Sequence, residues 1–199
     1  GVPRERGPGA ALIMAVGEAL VLPQWVGAMA GEDGHERRLC AVAEAAGQGA
    51  AHGLLLIEPD HFAQLLEVIG LEDVDQLMAA MGQRLDSVAG GAATARFAER
   101  QLALLVRDSD HMATSELAER VRDAFAEHVL EVGSHSLNAT VSIGGVQIGE
   151  KIASTSQVLA KASQGVVSAV GVGGNRAELF DPGAIDRAEL ERIEAWVTR

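Results

Sequence analysis

An α+β domain, built on a central and mostly antiparallel sheet covered by helices, is predicted by three features of this 199-residue sequence. Leu54-Leu55-Leu56-Ile57 is a continuous apolar run of the kind a central buried strand shows, closed by Glu58-Pro59-Asp60. Ala95 and Phe97, then Leu102, Leu104 and Val106, alternate with period two about a polar corner, which is the pattern of a β-hairpin. Between and after these stretches apolar residues recur at helical spacing, so strands and helices interleave along one chain.

Composition narrows the class further. Hydrophobic residues make up 48% of the chain, which favours a packed fold over disorder. Only 3% are aromatic and Tyr is absent, so the core is assembled from Ala, Val and Leu. The net charge of −12, with no basic stripe interleaved with aromatics, argues against a nucleic-acid partner. The single cysteine, Cys40, has no internal disulfide partner and reads as a small apolar filler, in keeping with a reducing cytoplasm.

Residues 10–30 carry one charge and call for a membrane test. Arg4 and Arg6 ahead of them and Ala28-Met29-Ala30 behind allow a signal-peptide reading. Glu18, Pro23 and Gln24 interrupt the run, and a short helix or strand packed on the domain, anchored by Trp25, is the expectation; no membrane partner is expected. The chain begins with Gly rather than Met and reads as an excised piece of a longer protein. Residues 1–49 are assigned to an N-terminal extension or linker remnant, within which Glu36 to Ala46 has the spacing of a helix ended by Gly47-Gln48-Gly49.

From residue 50 the elements follow in order. After the Leu54–Ile57 strand, Glu58 and Asp60 are candidate metal ligands, since hard cations want oxygen on a rigid support. Spacing alone favours Asp60 as the N-cap of the next helix. Residues 61–69 and 71–85 read as two helices parted at Gly70, the second with Leu71, Val74, Leu77, Met78, Met81 and Leu85 as its core stripe. The hairpin follows Gly90-Gly91. A turn at 108–110 then starts a long helix to about Glu131, with Leu117, Val121, Phe125 and Val129 every fourth residue and His128 at its boundary. Leu137 to Ile148 is rich in β-branched residues and reads as one strand, bulged or turned at Gly144-Gly145. Ser154-Thr155-Ser156-Gln157 has capping-box spacing and starts a helix that Gly171-Val172-Gly173-Gly174 ends. Those glycines close a helix with no Lys-Ser or Lys-Thr after them, so they are not a phosphate loop. Residues 177–180 are expected as the last strand, and 184–197 as a charged helix.

The ordered set Leu55-Leu56-Ile57-Glu58-Pro59-Asp60-His61-Phe62, Gly70, Asp75, Ala95-Arg96-Phe97, Thr140-Val141-Ser142-Ile143-Gly144, Gly173 and Asn175-Arg176 resembles the GGDEF domain of diguanylate cyclases. The resemblance covers residues 50–181 and implies the nucleotidyl cyclase-like fold. It also implies a hairpin tip whose two glycines admit GTP and whose acids hold divalent metal, in a domain that pairs with a second copy to make cyclic di-GMP. At the positions implied for that chemistry this chain differs. The glycines fall on Ala98 and Glu99, the acids on Arg100 and Gln101, and the Phe on Leu102. A β-carbon at Ala98 and a charged side chain at Glu99 fill space the nucleotide needs. Arg100 and Gln101 place a cation and an amide where metal catalysis wants anionic oxygen. The first-strand metal position is Glu58, the one site where a metal could still be held; the guanine-reading pair falls on Leu66 and Asp75, and the phosphate-contacting Lys and Arg on Val170 and Gly174. The product-inhibition motif falls on Ala89-Gly90-Gly91-Ala92.

The tip Ala98, Glu99, Arg100, Gln101 and Leu102 is therefore expected to be vestigial, with Glu58, Asp60 and Asp75 as a remnant of nucleotide binding, no metal and no cofactor. The tail at 182–199 resembles the linker helix leading to an EAL domain, and the whole is similar to the degenerate domains of FimX-type tandem GGDEF-EAL proteins. What this implies is a catalytically inactive regulatory or interaction module of a bacterial cyclic di-GMP signalling protein, partnered by an EAL domain or a second copy of itself. The alternatives are a non-catalytic allosteric GTP-binding domain and a residual diguanylate cyclase.

Overall fold

A computed structural model of the chain describes residues 52–148 and 155–180. The expectations for residues 1–49, for Ser154 of the capping box and for the 182–199 tail lie outside the described residues. The described elements are β1 (His52–Pro59), α1 (Phe62–Ile69), a 3-10 turn (Leu71–Asp73), α2 (Val74–Val88), β2 (Ala93–Ala98), β3 (Gln101–Val106), α3 (His111–Ala126), β4 (Val129–Val132), β5 (His135–Asn138), β6 (Val141–Ile148), α4 (Thr155–Gly171) and β7 (Arg176–Phe180). Five strands form one sheet in the order β2-β3-β1-β6-β7, antiparallel except for the β6–β7 pair. The α+β expectation holds, and β1 is the central strand that its unbroken apolar run demands.

Alternation along the strands splits the core between the two faces of the sheet. Leu55, Ile57, Leu102, Leu104, Val141 and Ile143 join the buried stripes of α2 (Val74, Leu77, Met78, Met81, Leu85) and α3 (Leu117, Ala118, Val121, Phe125). Leu54, Leu56, Val146 and Ile148 point the other way and meet Val158, Ala162 and Val166 of α4. The predicted stripe of the second helix is buried except at its first member. Leu71 belongs to the 3-10 turn and is exposed, because Gly70, at φ +82°, breaks the helical phase ahead of it.

Three expectations are corrected. The long helix stops at Ala126 rather than continuing to Glu131, and Val129–Val132 instead pairs with His135–Asn138 as a small second sheet turned at Gly133. Leu130, Val132 and Leu137 are buried there while Val129 is exposed, so the period-two pattern overrides the fourth-residue coincidence at Val129. The 137–148 segment is two strands parted at Ala139-Thr140, and the register of β6 on β1 runs unbroken through Gly144 and Gly145. No bulge is needed to explain Gly144. A β-carbon there would run into the backbone of α4 at Ala162 and Val166, and one at Gly165 would strike the Glu178 carbonyl, so this pair of glycines sets how closely α4 lies on the sheet. Asp60, finally, caps no helix: the residue before α1 is His61, in a left-handed conformation with no side-chain cap bond.

Candidate functional site at the hairpin tip

The end of β1, the start of α1, the first turn of α2 and the β2–β3 turn meet at one end of the sheet's strands. Strand register explains why. Ile57 pairs with Leu102, so the residues just before Leu102 in the chain come alongside the one just after Ile57. That residue is Glu58, and the neighbours it receives are Arg100 and Gln101. Arg100 Nε lies 3.2 Å from Glu58 Oε1, and the Gln101 amide donates to Glu58 Oε2 at 2.9 Å. The Glu58 side chain is 14% exposed and that of Arg100 54%. The Arg100 guanidinium also lies over the Phe62 ring, 5.6 Å from its centroid, within cation–π range.

A second ion pair holds the other flank of the tip. Arg96 of β2 meets Asp75 Oδ1 at 2.6 Å and donates to the Glu99 carbonyl at 2.7 Å, tying the tip to α2. The Asp75 side chain is 81% exposed. Leu66, at the position implied for guanine reading, is half-buried and packs against the main core. Ala98, Glu99 and Arg100 are exposed, and Leu102 is buried in the core. The structure thus brings Glu58, Arg100 and Gln101 together and holds Asp75 through Arg96.

Asp60 has a separate setting. It is 6% exposed, and its carboxylate accepts from Ser142 Oγ at 2.6 Å, Thr140 Oγ1 at 2.7 Å and the Asn175 backbone N–H at 2.7 Å. Asn175 stands at φ +47° in the turn between α4 and β7, and its own side chain accepts from Arg122 Nη1 of α3 at 3.2 Å. The hydrogen bond that Arg122 Nε donates to the Glu119 carboxylate, with the charges of Glu119 and Asp123, holds that guanidinium above its ordinary range against the opposing effect of burial. Both oxygens of Asp60 are therefore taken up in joining β1, β6 and the α4–β7 turn. Spacing gives no sign of these partners, which lie 80, 82 and 115 residues away.

The catalytic metal implied by the cyclase resemblance does not fit these residues. The one acid left at a position implied for the metal, Glu58, is already engaged by a guanidinium and an amide, and no group of three or more His, Cys, Asp or Glu suited to a metal occurs among the described residues. No helix among the described residues is long and apolar enough to cross a membrane.

Sheet order and helix placement together define a nucleotidyl cyclase-like fold with its hairpin tip at the expected edge. The chain belongs to the family described as diguanylate cyclase, GGDEF domain, whose model matches residues 36–176. Among solved structures, the FimX GGDEF domain from Pseudomonas aeruginosa is 23% identical, with a TM-score of 0.63 over 71% of this chain and 88% of that one. Diguanylate cyclase SiaD from Pseudomonas aeruginosa, solved in complex with its activator SiaC, is 21% identical, with a TM-score of 0.68 over 86% of this chain and 66% of that one. The active GGEEF domain of a diguanylate cyclase from Vibrio cholerae is 16% identical, with a TM-score of 0.64 over 77% and 98%. At these identities the likeness is one of fold. No curated protein sequence matches the chain.

Proposed function

We propose that this chain is a non-catalytic regulatory or interaction module of a bacterial cyclic di-GMP signalling protein, acting through a protein neighbour such as an EAL domain or a second copy of itself. The observation that carries this reading is the Arg100–Glu58–Gln101 contact, with Arg100 Nε at 3.2 Å and Gln101 Nε2 at 2.9 Å from the Glu58 carboxylate. A tethered cation and an amide occupy the acid that a metal would need, and Ala98 and Glu99 stand where the family's nucleotide approaches glycine. Loss of a single preorganised group from such a site costs about 10²- to 10³-fold, and several are replaced at once. The diguanylate cyclase SiaD, which contains this fold, was solved in complex with its activator SiaC, a precedent for a protein partner of such a protein. The GTP-binding alternative has less support, since Asp75 is paired with Arg96 and Leu66 packs into the core.

Incubation of the purified chain with GTP and Mg²⁺ or Mn²⁺, followed by chromatography of the nucleotides, tests the proposal. The expected result is no cyclic di-GMP above a no-enzyme blank; product above that blank overturns it.

A further inference from the structure

We draw no further inference here: the strongest candidate, the outer edge of β7 (Arg176–Phe180), with which no described strand pairs, is not self-complementary, since full antiparallel overlap with a second copy sets Glu178 against its own counterpart, and nothing in the structure shows what else covers it.

Discussion

Glu58 and Asp60, two residues apart at the end of β1, are held by different kinds of partner. Glu58 faces the half-exposed Arg100 and the Gln101 amide, an arrangement that solvent screens. Asp60 is buried and satisfied by two hydroxyls and a backbone N–H from distant parts of the chain. Hydrogen bonds to a buried charged group are each worth about 1.5–3 kcal/mol, whereas a screened surface pair contributes about 0–1 kcal/mol. Asp60→Ala is therefore expected to lower the free energy of unfolding by about 3 kcal/mol or more, and Arg100→Ala by less than about 1 kcal/mol, both read from urea denaturation. Equal losses would remove the distinction drawn between the two acids. Both residues stand out in the sequence as carboxylates at the end of a buried strand, but nothing local separates an acid paired at the hairpin tip from one buried among hydroxyls. Thr140, Ser142 and Asn175 are conspicuous there only as parts of a family motif, with no sign that they meet one carboxylate.

At the scale of elements, the contact between α4 and the sheet rests on Gly144 and Gly165, where neither backbone leaves room for a side chain. Gly144→Ala is expected to cost about 2–3 kcal/mol by overpacking. Gly82, inside α2, is its control, because a β-carbon added there would have nothing within 4 Å: Gly82→Ala is expected to stabilise by about 0.5–1 kcal/mol. Opposite shifts in melting temperature are the outcome to look for, and shifts of the same sign contradict the packing account. The helix stripes, β1 and the β2–β3 hairpin are legible in the sequence because their periodicity spans many residues. The β4–β5 hairpin is not, since four-residue strands leave too short a pattern and Val129 happens to continue the helical one. Gly144 looks like a bulge in the sequence because a glycine's reason for being there, here a helix from later in the chain, lies outside its own strand.

For the whole molecule, sheet order β2-β3-β1-β6-β7 carries the tip to β1's end and gives each sheet face its own core. With Glu58 occupied from within the chain, and no cluster of metal-ligating side chains among the described residues, the proposed reading gives divalent ions no site at the tip. The melting temperature is expected to be the same, within error, in excess Mg²⁺ and in a chelator, because a ligand shifts stability only by binding the native state. A rise of several degrees with Mg²⁺ would contradict the reading of the tip. Fold class, the central strand, the hairpin and family membership are all available before any coordinate, because apolar periodicity and the order of motifs are properties of neighbouring residues. Which acid meets a cation, which is buried among hydroxyls, and why a strand carries adjacent glycines follow from contacts between residues tens of positions apart, and strand register and helix packing alone decide those.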